Sequence, residues 1–186
     1  MAINTNPVSP LRHVATFNSS GNYLAPAGAT LAFVSIHGAS GGGAGGTNSG
    51  RYATGGSGGS GLVAGAFVQI TPSGNHVVTV GAAGAAGIQG NNGNGGSGGT
   101  TSFDGALSVT GGTGGFITQG RYSTGTSGNQ STASGTTSLT SLSPSGAIVR
   151  TGNISTQNTG AAAGGNGGVR YNAGAAGSAG QLHIYL

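Results

Sequence analysis

Cysteine, tryptophan, lysine and glutamate are all missing from this 186-residue chain, and aspartate occurs once, at Asp104. Without cysteine there is no disulfide and no thiolate metal site. Without lysine there is no phosphate-binding P-loop. A lone carboxylate supplies no acid–base pair for glycoside hydrolysis within one chain. Charged residues make up 3% of the sequence, against about 25% in an ordinary globular protein, which excludes a charge-rich disordered chain. The formal charge of +4 comes from Arg12, Arg51, Arg121, Arg150 and Arg170. These are too few and too scattered for a nucleic-acid patch. The start, MAINTNPVSPLRHV, lacks a basic region followed by an apolar one, so no signal peptide is read here. No apolar run approaches the roughly 20 residues of a membrane helix, and none has the 3.6-residue period of an amphipathic one.

What the chain has is glycine, 44 residues of it. In Gly81–Gly99 it falls on every third position: Gly81, Gly84, Gly87, Gly90, Gly93, Gly96 and Gly99. A period of three fits neither helix nor strand but matches the extended polyproline-II conformation. Collagen is excluded because the run has no imino acids. The spacing therefore predicts glycine-rich extended segments packed side by side through backbone hydrogen bonds, rather than a flexible linker. As one continuous helix the run would extend about 59 Å at ~3.1 Å per residue.

Around it, alternating apolar residues predict strands at Val14–Phe17, Thr30–His37, Leu62–Thr71, His76–Val80, Thr100–Phe103, Leu107–Thr110 and Gln181–Leu186,. Pro72–Asn75 reads as the turn of a hairpin joining Leu62–Thr71 to His76–Val80. Asp104–Gly105 reads as a two-residue turn. The expected fold is all-β: a short-strand, sandwich-like core with packed polyglycine or polyproline-II-like segments and essentially no α-helix. Residues 1–13 read as an extended arm and 14–186 as one glycine-rich β domain. Within that domain 116–160 reads as a polar Ser/Thr-rich excursion.

The order of blocks resembles the glycine-rich domain of tailed-phage virion proteins, often found at tail-fibre ends. Phe17-x-x-Ser20-Gly21-x-Tyr23-x-x-Pro26-Ala27-Gly28 precedes an apolar strand that ends in Gly38 and a glycine run. A small-residue strand with Thr71-Pro72-Ser73-Gly74 follows, then Val78-Thr79-Val80-Gly81 with Gly-Ala triplets, then Gly95-Gly96-x-x-x-Thr101-Ser102-Phe103. The resemblance spans about Val14–Leu186 and departs from the family pattern in the long polar stretch 116–160. It implies a non-enzymatic structural protein of the virion, in a tail fibre or tail tip, with a host-contact role. The chain would form a homotrimer and meet other virion proteins, with no cofactor, nucleic acid or membrane insertion. The alternative is a capsid-decoration or head-fibre protein. An elastic, silk-like extracellular protein fits less well, because the strands do not repeat.

Three echoes carry the candidate contact site: Arg51-Tyr52, Arg121-Tyr122 and Arg170-Tyr171, each in glycine-rich surroundings. A guanidinium fork suits anionic groups and a tyrosine face suits a sugar ring. They point either to host polysaccharide or a neighbouring subunit, or to residues that merely shield the ends of the array. In the arm, Ile3, Val8 and Leu11 are the candidate attachment residues. Two G-x-S-x-G matches, at Gly55–Gly59 and Gly95–Gly99, lack the strand-to-helix elbow a nucleophile needs and follow from composition. His13, His37, His76 and His183 are too far apart for a metal motif and are expected at strand ends or on sheet faces. Asp104 is expected to serve its own turn.

Overall fold

A computed structural model describes residues 11–46, 55–89, 93–117, 127–130, 132–135, 155–157, 165, 167–168 and 172–186. Among these there is no helix. Ten strands follow one another: β1 (His13–Phe17), β2 (Gly21–Leu24), β3 (Leu31–His37), β4 (Val63–Gln69), β5 (Asn75–Thr79), β6 (Thr101–Phe103), β7 (Leu107–Val109), β8 (Ala133–Gly135), β9 (Ser155–Gln157) and β10 (Gln181–Tyr185). They form two five-stranded antiparallel sheets, ordered β1-β10-β3-β4-β9 and β2-β5-β6-β7-β8.

Alternation decides which side of each strand is covered. Ala32, Val34 and Ile36 of β3, Ala64, Ala66 and Val68 of β4, and Leu182 and Ile184 of β10 face inward. They meet Tyr23, Val78, Phe103, Leu107 and Val109 of the second sheet in one cluster. Each large apolar side chain buried there stabilises the fold by roughly 1.5–3 kcal/mol. The predicted strands are all present, but β4 and β5 are not a hairpin. β4 pairs with β3 and β9, whereas β5 pairs with β2 and β6. The Pro72–Asn75 turn carries the chain from one sheet to the other. At the β6–β7 connection Asp104 and Gly105 both have positive φ, 50° and 70°, as the Asp-Gly pair predicts. The register Phe103↔Leu107 makes the connection three residues long rather than two. The polar stretch 116–160 is not a single surface excursion either. Its described residues include β8 and β9, which close one edge of each sheet.

Glycine-rich segments extend from one end of this sandwich, and their centre is 38–46, not Gly81–Gly99. Seven consecutive N–H groups of that segment donate in a strict rotation of three. Ser40, Gly43 and Gly46 donate to Ser178, Ala175 and Asn172, at 2.8–2.9 Å. Gly41 and Ala44 donate to Gly59 and Gly56, and Gly42 and Gly45 to Gly96 and Gly93. Its carbonyls rotate likewise: Ala39 and Gly42 accept from Gly112 and Gly115, Ser40 and Gly43 from Gly84 and Gly87, and Gly41 and Ala44 from Gly165 and Gly168. A three-residue period with no internal bonds is the polyproline-II geometry. Six legs thus surround one. Those it donates to run antiparallel to it and those it accepts from run parallel. Ala39, Ser40 and Ala44 are the only side chains in 38–46, and all three are fully buried.

Gly81–Gly99 is therefore not one long helix. It folds back, with Gly96 and Gly99 donating to Ala85 and Ala82 at 2.8 Å, so the 59 Å run becomes two antiparallel legs, 81–89 and 93–99. In the first leg Gly81, Gly84 and Gly87 are buried and every residue between them is exposed, as the triplet reading requires. Ile88 points outward.

Candidate functional site

The legs pair into four hairpins, each inserted between two strands. Legs 38–46 and 55–61 join β3 to β4, 81–89 and 93–99 join β5 to β6, and 111–117 and 127–130 join β7 to β8. Residues 165–168 and 172–180 lead from β9 to β10. At the end away from the sheets, described residues of all four hairpins are bonded to one another. Gly46 donates to Asn172 at 2.8 Å, Gly55 to Gly168 at 2.9 Å, Gly56 to Phe116 at 3.1 Å and Gly45 to Gly93 at 2.7 Å. The Asn94 side chain accepts from the Ile117 N–H at 2.9 Å. Phe116 and Ile88 are exposed at this end.

The three Arg-Tyr pairs fall, in sequence, inside three of these turns. Arg51 and Tyr52 lie between Gly46 and Gly55, Arg121 and Tyr122 between Ile117 and Ser127, and Arg170 and Tyr171 between Gly168 and Asn172. All six are outside the described residues, as are Ile3 and Val8 of the arm. Their flanks, however, meet within one hydrogen-bonded cluster. Of the arm residues, Leu11 is described and is exposed. The neighbouring Arg12 is bound to the core, since its backbone exchanges two hydrogen bonds with Leu186, at 2.6 and 2.9 Å. Strand β1 then begins at His13, one residue before the expected start.

Both G-x-S-x-G matches lie along extended legs, with Ser57 and Ser97 exposed. The carboxylate of Asp104 has a partner that the sequence did not suggest. Its Oδ2 lies 2.9 Å from Nδ1 of the buried His76. The Thr71 N–H donates to His76 Nε2 at 3.2 Å, which makes Nε2 the acceptor and places the proton on Nδ1. The imidazole stacks on Phe103, with centroids 5.6 Å apart, and ties the β4–β5 turn to the β6–β7 turn at the end opposite the hairpin tips. Nothing in a separation of 28 residues signals this pairing. The Tyr23 hydroxyl, buried beside it, has no hydrogen-bond partner among the described residues, and burial raises its pKa.

The other three histidines share the outer face of the first sheet. His183 lies 5.8 Å from His13 and 5.2 Å from His37, centroid to centroid. Beside them Tyr185, Phe33 and Phe67 form an aromatic row. Burial lowers the pKa of His37. Burial lowers that of His183 too, with further lowering from His37 and His13. Among the described residues no three His, Asp or Glu side chains are placed to hold a metal ion.

Residues 16–185 match the model of a glycine-rich domain family. No curated protein matches the sequence.

Proposed function

We propose that this chain, which belongs to the glycine-rich domain family, is a non-enzymatic structural protein of a bacteriophage virion. In this reading it forms part of a tail fibre or tail tip and presents the far ends of its hairpins to the host surface. The observation that carries the reading is the meeting of the legs that flank Arg51-Tyr52, Arg121-Tyr122 and Arg170-Tyr171. Three copies of one short motif, far apart in sequence, are tethered to one end of a rigid backbone lattice. Loops held on a rigid scaffold are where binding function concentrates. Guanidinium forks and tyrosine rings suit an acidic or neutral polysaccharide. The N-terminal arm, read as residues 1–13 and ending where β1 begins at His13, serves as the attachment to other virion proteins through Ile3, Val8 and Leu11, and the scarcity of charge favours packing with copies of itself, as a trimer.

Replacing Arg51, Arg121 and Arg170 together by Ala tests the contact role. The expected result is normal particle assembly with adsorption to cells reduced at least about tenfold, the equivalent of one lost charge-assisted contact. Normal adsorption by normally assembled particles removes host contact from the reading. Antibody labelling of intact particles separates tail from head; label on heads would favour a capsid-decoration role.

A further inference from the structure

The outer face of the first sheet carries a one-way chain of side-chain hydrogen bonds that ends on the edge strand β1. Its direction can be read from the fixed donors and acceptors. The Gln181 amide nitrogen donates to Asn18 Oδ1 at 2.5 Å, which leaves Gln181 Oε1 to accept from His183 Nε2 at 3.0 Å. His183 Nε2 therefore carries the proton and Nδ1 is an acceptor. The Thr16 hydroxyl donates to that Nδ1 at 3.1 Å and accepts from His13 Nε2 at 2.9 Å. Both Thr16 and His13 belong to β1. That strand pairs with β10 through a register shift between His13 and Ala15, and among the described residues no further strand lies outside it.

We propose that His183 is a proton-operated latch on β1: its neutral ring holds the strand through Thr16, and its protonation releases it. A proton on Nδ1 removes the acceptor for the Thr16 hydroxyl, whose oxygen must then accept from both His183 and His13 while its own proton loses this partner,. It also places positive charge beside His37 and His13. The groups facing His183 on this surface are His13 and Thr16 from β1, Gln181 and Tyr185 from β10, and Ser35 and His37 from β3. None is a carboxylate, and the chain's one acidic side chain is engaged by His76 on the other sheet. Nothing in the chain's side chains offsets the charge. Burial and the two neighbouring histidines hold the His183 pKa below its ordinary 6.5. The sign follows: the folded state prefers the neutral ring, so the stabilisation is complete above the unfolded-state value and is lost as pH falls below it.

Amide hydrogen exchange, expressed as protection factors, reads the latch directly, with β3 and β4 as internal reference. Between about pH 7.5 and about pH 5, β1 should lose about fivefold or more in protection relative to β3 and β4, the equilibrium worth of one hydrogen bond. His183→Gln keeps a donor and an acceptor but cannot titrate, and should hold β1 protection constant over that range. His37→Gln leaves the hydrogen-bonded chain intact and removes a like charge, so β1 should open at a higher pH than in the wild type. Unchanged relative protection of β1 in the wild-type protein overturns the proposal whether or not the variants fold. So does a His183→Gln protein that still opens in acid. The inference rests on the sheet alone and stands apart from the virion reading.

Discussion

Asp104 does two jobs at once. It takes a left-handed backbone conformation, with φ at 50°, and its carboxylate accepts a hydrogen bond from Nδ1–H of the buried His76. Asp104→Ala should therefore cost more than a surface substitution. It leaves the His76 Nδ1–H unpaired in the core, which costs about 1–3 kcal/mol, and puts a Cβ-bearing residue without a local hydrogen bond at positive φ, about 1–2 kcal/mol more. Asp104→Asn keeps both an acceptor and tolerance of that conformation, so it should retain most of the stability. Denaturant midpoints of the two variants check the order. Equal midpoints would mean that His76 contributes only its packing on Phe103. That pairing was invisible in the sequence because Asp104 sits in a turn and His76 near the start of a strand, where each has a local explanation. The positions of His37, His183 and Tyr185 on one face were legible, since alternation along TLAFVSIH and QLHIYL assigns them directly.

At the scale of elements, the strands were readable because apolar alternation reports a half-covered face. Their pairing was less readable, since turn chemistry at Pro72–Asn75 specifies a change of direction and not which sheet receives the chain. The glycine legs carry more information than their period. In 38–46 glycine or a very small residue fills all three positions of the triplet, and that leg is covered all round. Legs 55–61 and 111–117 repeat two glycines and one larger residue. Legs 81–89 and 172–180 repeat one glycine and two larger residues, and their non-glycine positions are exposed. The most regular triplet run therefore marks the rim of the lattice, not its centre, and the antiparallel pairing of 81–89 with 93–99 hides because the glycine phase continues from one leg to the other. A matched pair of substitutions tests the assignment. A Cβ on Gly87 would overlap the Gly93 carbonyl oxygen and lie 2.7 Å from the Gly45 nitrogen, whereas Ala86 is exposed. Gly87→Val should destabilise by more than about 3 kcal/mol, because backbone on two sides must move. Ala86→Val should stay within about 0.5 kcal/mol. Similar thermal midpoints for the two proteins would defeat the lattice.

The whole molecule is a sandwich in which the connections at one end have grown into a second body held together by main chain. An ordinary core absorbs volume-conserving substitutions by side-chain repacking; a lattice of N–H and C=O groups with a three-residue period has few side chains to repack. Removing one residue from a leg turns everything beyond it by about 120°. Removing three shortens the leg and leaves each glycine facing the same neighbour. The peripheral leg 81–89 is the place to test this, because only its inward positions are committed. Deleting Ala86 alone moves Ile88 into the place of Gly87, against the backbone of Ala44 and Gly93. The protein should lose more than about 3 kcal/mol or fail to fold. Deleting Ala85-Ala86-Gly87 together brings Gly90 into that place and shortens the hairpin by one turn. The expected cost is about 1–2 kcal/mol, from the hydrogen bonds disturbed near the new tip. Chemical denaturation of the two proteins gives the comparison. A larger loss from removing three residues than from removing one would show that the hairpin is held by its turn and not by the three-residue phase of its legs.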